Sequence, residues 1–187
     1  LAGSATSSPR TGNSPLAFVP YPYSHAASNW LGMPNDGNRK IAERISKLKK
    51  VPGCPIGISI AASPDIGDED QKLKELLEGL NLFLDAGVDF IELNESCPNT
   101  EESVDDQLQF FNRLEAISKE FLKNRQRFVP LIVKLSNDTA TSQITEILDA
   151  LINLEYDGLN IGNTSTAYKA IQTQRWIKRH TQKSHFC

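Results

Sequence analysis

The sequence predicts an α/β fold with a parallel sheet, either a doubly wound sheet or an incomplete (β/α)8 barrel. Three observations predict it: short apolar runs alternate with helical patterns, the runs are rich in Ile, Val and Leu, and small or polar residues follow each run at once. This alternation is typical of βαβ units, whose parallel strands are buried on both faces. A complete barrel usually takes about 250 residues, whereas this chain has 187.

The elements follow one another along the chain. Residues 3–6 predict a first strand and residues 36–48 a first helix. Apolar runs then predict strands over 54–61, 88–93, 129–135 and 158–161. Apolar residues at helical spacing predict the three helices between these strands, with faces formed by Leu73, Leu76, Leu77, Leu80, Phe83 and Leu84, by Val104, Leu108, Phe111, Leu114, Ile117 and Phe121, and by Ile144, Ile147, Leu148, Leu151 and Ile152.

Composition excludes several classes of protein. With 39% hydrophobic and 23% charged residues, the chain is an ordinary globular sequence, and its net charge of -3 gives no field that would hold nucleic acid. No apolar run approaches the roughly 20 residues of a membrane span. The three cysteines, Cys54, Cys97 and Cys187, lack the spacing of a zinc site or a disulfide framework, so we expect no metal and a reducing, cytoplasmic setting.

Candidate functional residues gather just past the strand ends, which meet at one mouth in parallel α/β folds. Asn94, Asn99 and Asn163 offer amides that suit a flat ring with carbonyl and N–H groups. Cys97 is a candidate base, and Lys134 is a candidate inward cation that needs an anionic partner. The alternatives are amides that cap helices or form turns, a cysteine that only fills the core, and a lysine that points to solvent.

One of these segments resembles a known family. Residues 94–99 read Asn-Glu-Ser-Cys-Pro-Asn, which is similar to the Asn-x-Ser-(Cys or Ser)-Pro-Asn motif of the dihydroorotate dehydrogenase family. Residues 3–13, 29–37, 133–135 and 157–164 resemble further family segments in the same order. The resemblance covers about residues 3–168, whereas the basic tail over 169–187 does not resemble the family. We therefore expect a partial barrel over 1–168 and a separate tail.

The resemblance implies a (β/α)8 TIM-type barrel with FMN at its mouth. It also implies the oxidation of dihydroorotate to orotate in pyrimidine (UMP) biosynthesis. Cys97 would be the general base that removes the C5 proton, a hydride would pass from C6 to FMN, and Lys134 would face the flavin. The implied substrate-binding residues are Asn29, Leu31, Gly32, Met33, Asn94, Asn99, Asn163 and Thr164.

The resemblance leaves the electron acceptor open. Cys97 and residues 33–35 are similar to the soluble class, whereas residues 9–13 are closer to the quinone class, so the acceptor is a quinone or fumarate. The quinone class would place the protein at a membrane, and a homodimer is also left open. The family's upstream lysine segment and its downstream glycine-rich phosphate cradle have no counterpart here, so we expect a fragment. The alternatives are a non-catalytic remnant and a different half-barrel that binds a small phosphorylated ligand.

Overall fold

The computed structural model describes residues 1–13, 18–96, 104–162 and 165. Its elements are β1 (Ala2–Ala5), β2 (Phe18–Tyr21), β3 (Ala26–Asn29), α1 (Asn38–Ser46), β4 (Gly57–Ile60), α2 (Glu69–Asp85), β5 (Phe90–Asn94), α3 (Val104–Ile117), β6 (Leu131–Leu135), α4 (Thr141–Asn153) and β7 (Gly158–Ile161). A 3-10 turn, Pro22–Ser24, joins β2 to β3, and a π-helical turn, Ser118–Leu122, extends α3.

A five-stranded sheet is the centre of the fold. Its strand order is β1-β4-β5-β6-β7, and every neighbouring pair is parallel. The predicted strands and intervening helices are confirmed, although β4, β5 and β6 each begin two or three residues later than expected.

Two aspartates close the amino ends of this sheet. The backbone N–H of Ile56, just before β4, donates to Asp89 Oδ2 at 2.7 Å. In the same way, the N–H of Leu131 at the start of β6 donates to Asp157 Oδ2 at 2.8 Å. Each aspartate lies just before the next strand along the chain. At the start of each of these strands, a side-chain carboxylate therefore accepts the hydrogen bond of a backbone N–H in place of a backbone carbonyl. The regular pairing of β4 with β5 begins at Gly57, one residue after Ile56.

The core lies between one face of the sheet and the helices. Alternate strand residues, including Ile58, Ile91 and Leu131, are fully buried in one apolar cluster with Leu80 of α2 and Leu114 of α3. Successive side chains of a strand point to opposite faces. The helices therefore cover the face that carries these apolar residues, and the opposite face carries the residues between them.

The helices bury fewer apolar residues than their sequence pattern contains. Leu108, Leu148 and Ile152 lie among the apolar residues at helical spacing, but they are exposed, by 59%, 39% and 70%. The residues that α4 buries are Ile147 and Leu151, one turn apart. This helix therefore meets the sheet through a narrower stripe than the apolar pattern suggests.

The antiparallel hairpin of β2 and β3 was not predicted. Its four paired positions run from Phe18 opposite Asn29 to Tyr21 opposite Ala26. Pro20 lies within β2, and a proline argues against a strand because it cannot donate to the ladder. A two-stranded sheet tolerates such a residue, since each of its strands is an edge.

Candidate functional site

The face of the sheet that is turned away from the helices is polar. Ser59 of β4 lies opposite Glu92 of β5, Asn94 lies opposite Lys134 of β6, and Lys134 lies opposite Asn160 of β7. Parallel strands that are buried on both faces are normally apolar throughout. Polar side chains on four neighbouring strands therefore mark this face as the candidate site.

Hydrogen bonds join five polar side chains of this face, which lie on β1, β4 and β6 and at the end of β5. Lys134 Nζ donates to Ser96 Oγ at 2.6 Å and to Asn94 Oδ1 at 3.3 Å. Asn94 Nδ2 donates to Ser4 Oγ at 2.7 Å, and Ser4 Oγ lies 3.0 Å from Ser59 Oγ. We call Ser4, Ser59, Asn94, Ser96 and Lys134 the inner-face cluster. Two of its members, Asn94 and Lys134, are sequence-predicted site residues, and the structure brings them together.

Electrostatics around Lys134 follow from burial and from one acid. Partial burial lowers the pKa of the Lys134 ammonium, and the negative charge of Glu92 acts in the opposite direction. Glu92 is itself buried, and its Oε2 accepts a hydrogen bond from Asn160 Nδ2 at 2.8 Å. Glu92 is thus the anionic partner that an inward lysine requires, although it does not form a direct ion pair with Lys134.

The predicted substrate loop forms a separate group. Asn29 ends β3, the Leu31 carbonyl accepts from the backbone N–H of Asn13 at 3.0 Å, and the Gly32 carbonyl accepts from Arg10 Nε at 3.2 Å. Gly32 and Met33 both have a positive φ, of 70° and 52°. Beyond the pairing of β2 with β3, the described hydrogen bonds of residues 29–33 run to Asn13, Arg10 and Asn35 rather than to the inner-face cluster.

The remaining predicted site residues, Cys97, Asn99, Asn163 and Thr164, lie outside the described residues. Their placement at the mouth stays a prediction, as does the boundary at residue 168. What the structure does describe is the last residue before each segment: Ser96, which contacts Lys134, and Gly162, which follows β7.

Sequence reasoning missed several polar residues of this face: Ser4, Ser59, Glu92, Ser96 and Asn160. The available signal was a polar residue inside an otherwise apolar strand, as with Glu92 between Ile91 and Leu93. At such a position the strand alternation places the polar side chain opposite the core-facing residues.

Within the described ranges, no group of three or more His, Cys, Asp or Glu side chains is arranged to hold a metal ion. None of the helices in those ranges combines the length and hydropathy that a bilayer span requires.

A parallel β/α sheet with polar side chains at the carboxyl ends of its strands defines a protein of the β/α-barrel class with a candidate small-molecule site. The family model described as dihydroorotate dehydrogenase matches residues 1–184. The chain therefore belongs to the dihydroorotate dehydrogenase family, and the alternative of an unrelated half-barrel is removed.

Curated relatives agree with this assignment. The chain is 30% identical over 166 residues to the dihydroorotate dehydrogenase (quinone) of Haloarcula marismortui, which covers 88% of this chain and 45% of that protein. It is 29% identical to the enzyme of the same name from Synechococcus sp., over 92% of this chain and 44% of the relative. The chain thus spans about half the length of the curated relatives it matches.

A solved structure supports the fold. The ligand-free dihydroorotate dehydrogenase of Eimeria tenella superposes with a TM-score of 0.73 at 20% identity, covering 88% of this chain and 51% of that one. Because this chain matches about half of that barrel, the prediction of an incomplete (β/α)8 barrel is confirmed.

Proposed function

We propose that this chain carries part of the active site of an FMN-dependent enzyme that oxidises dihydroorotate to orotate in pyrimidine biosynthesis. The observation that carries the proposal is the meeting of Lys134, Asn94 and Ser96 on the inner face, at the strand end that leads directly into Cys97. Family membership and the names of the curated relatives support it.

The donors of the inner-face cluster suit an anionic planar ligand. Lys134 contributes an ammonium group, Asn94 an amide that both donates and accepts, and Ser96 a hydroxyl. Flavins and orotate are flat rings bearing carbonyl and N–H groups, and orotate also carries a carboxylate. FMN, when bound, supplies the acceptor for the hydride that leaves C6 of the substrate.

The chain's own residues then have distinct tasks in the proposal. Cys97 takes the C5 proton of dihydroorotate, and the electron pair of that C–H bond forms the C5–C6 double bond of orotate. Asn94, together with Asn29, Asn99 and Asn163, holds the ring and carboxylate, with Thr164 beside them. Leu31, Gly32 and Met33 contribute contacts from their backbone. Lys134 would face FMN when it is bound, and its positive charge would stabilise negative charge on the flavin ring.

A quinone is the electron acceptor in this proposal, because the curated relatives are named as quinone enzymes. The protein would then work at a membrane surface. Cys97 is the departure from this class, in which a serine takes its place.

The test is an anaerobic titration of the FMN-loaded protein with dihydroorotate, followed by the loss of yellow flavin absorbance. Cys97→Ala should keep the flavin bound and slow this bleaching by about 10²–10⁴, the usual contribution of a general base. Cys54→Ala is the matched control because Cys54 is an exposed free cysteine. Wild-type bleaching by Cys97→Ala would contradict the assignment of the base, and bound flavin that dihydroorotate never bleaches would favour a non-catalytic remnant.

A further inference from the structure

A charged residue, Glu95, directly follows the last residue of β5. Strand alternation turns Glu92, Asn94 and Ser96 to the inner face, and the buried Ile91 and Leu93 to the helices. Residue 95 therefore falls on the apolar, helix-facing side. A glutamate there has to be paired, because an unpaired buried charge is costly.

Arg113 of α3 supplies that partner with fork geometry. Its Nε donates to Glu95 Oε1 at 3.1 Å and its Nη2 donates to Glu95 Oε2 at 2.7 Å. The two side chains are only 15% and 11% exposed. Two parallel hydrogen bonds fix the direction of a carboxylate as well as its position.

The pair is anchored to a second helix. Arg113 Nη1 donates to Glu69 Oε2 at 2.6 Å, and Glu69 also pairs with Lys72 at 2.5 Å. Burial alone would lower the pKa of Arg113, but the carboxylates of Glu95 and Glu69 more than offset this and raise it. The guanidinium thus stays charged and ties α2, α3 and the end of β5 together.

We propose that Arg113 is a positioning residue: by holding Glu95 against the helices, it fixes the inward direction of Asn94 and Ser96 and so the alignment of the inner-face cluster. The neighbouring contacts are consistent with this. The backbone N–H of Glu95 donates to the Lys134 carbonyl at 3.0 Å, and the N–H of Ser96 donates to Asn94 Oδ1 at 3.2 Å. Rotation of residue 95 away from α3 would break both bonds.

The test is native-state hydrogen exchange of the 187-residue chain, read at the amides of residues 95 and 96. Glu95→Gln and Arg113→Gln lose charge-assisted hydrogen bonds that oppose local opening of the chain. The amides of residues 95 and 96 should therefore exchange at least about tenfold faster in these variants. Arg113→Lys, which keeps the charge but not the fork, should be intermediate. Glu95→Gln retains the shape of the side chain, so it keeps the test valid if Arg113→Gln fails to fold.

Two control variants separate positioning from general stability. Arg125→Gln removes the ion pair of Arg125 with Asp157 at the opposite end of the sheet, whose side chains are similarly shielded from solvent, at 14% and 19% exposed. Glu69→Gln removes the charge of the other partner of Arg113 and leaves the fork to Glu95, so it should accelerate exchange at residues 95 and 96 less than Glu95→Gln does. Arg125→Gln should leave that exchange unchanged even if it lowers the melting temperature. Equal acceleration in Arg125→Gln, or none in Glu95→Gln, would overturn the proposal.

The effect on ligand binding rests on the proposed function. Orotate affinity should fall about tenfold in Glu95→Gln, as expected when one well-placed charge-assisted contact is misaligned. If exchange accelerates while neither wild type nor variant binds orotate, the positioning role stands and the proposed function fails. If wild type and Glu95→Gln bind orotate equally, the positioning role is overturned and the proposed function stands.

Discussion

Asn35 organises the turn between β1 and α1, and its replacement by aspartate should destabilise the protein. Its Oδ1 accepts from the N–H of Gly37 at 2.8 Å and from the N–H of Thr6 at 3.3 Å. Its Nδ2 donates to the Met33 carbonyl at 2.8 Å and to Thr6 Oγ1 at 2.9 Å. One side chain thus satisfies four groups, one of them in the predicted substrate loop.

The magnitude follows from which contacts survive. Asn35→Asp keeps the shape and both accepted hydrogen bonds, but an oxygen replaces the donating nitrogen. Two bonds worth about 0.5–1.5 kcal/mol each are lost, and the Met33 carbonyl and Thr6 hydroxyl then face an acceptor. The free energy of unfolding should therefore fall by about 1–3 kcal/mol. Thr6 is fully buried, so water does not readily replace the lost donor.

The assay is urea unfolding, in which the midpoint should shift while the slope stays the same. Asn81→Asp is the matched control, because exposed Asn81 makes a single donated bond, to the Leu77 carbonyl at 2.8 Å. It should change the free energy of unfolding by no more than about 0.5 kcal/mol. An Asn35→Asp protein as stable as wild type would refute the account of this turn.

Three further changes have defined outcomes. Gly3→Ala should cost about 1–3 kcal/mol in urea unfolding, because Gly3 has a φ of +112° and a Cβ there would lie 2.3 Å from the Ser59 carbonyl oxygen. Tyr156→Phe should cost about 0.5–1.5 kcal/mol in the same assay, because the partly buried hydroxyl donates to the Leu114 carbonyl at 3.0 Å. A backbone hydrogen bond, aided by a nearby lysine, lowers the pKa of Asp89 from its ordinary value of 3.8. The stabilisation from Asp89 is therefore complete above that value and lost as pH falls through the lower folded pKa, so Asp89→Asn should flatten the acid limb of the stability curve.

Much of the fold could be predicted because its signals are local. Buried parallel strands give continuous apolar runs, so the strands that contain Ile58, Ile91, Ile132 and Leu159 are visible in the sequence. In the structure these four strands lie side by side in that order and are parallel. The width of a buried helix face is not a local property. It depends on how many neighbours the helix packs against, which is why the apolar pattern does not show that Leu108 and Ile152 are exposed.

The candidate site was predictable only in part. Asn94 is the last residue of β5 and Lys134 the second-last of β6, and polar residues near strand ends can be recognised in the sequence. In the structure, Lys134 Nζ lies 3.3 Å from Asn94 Oδ1. Glu92 and Asn160 lie inside strands that are not neighbours in the sheet. Their contact depends on the order and register of the whole sheet, and the pattern of a single strand does not contain that information.

The most direct measurement of the central claim is the FMN affinity of the wild-type chain and of Lys134→Gln. The account predicts saturable binding to wild type and affinity about 10–100-fold lower in the variant, because a hydrogen bond from a charged donor contributes about 1.5–3 kcal/mol. Lys47→Gln, at an exposed helical ion pair, should bind as wild type does. Equal affinity in wild type and Lys134→Gln, or no saturable binding to wild type, would contradict the claim that the inner-face cluster is a ligand site.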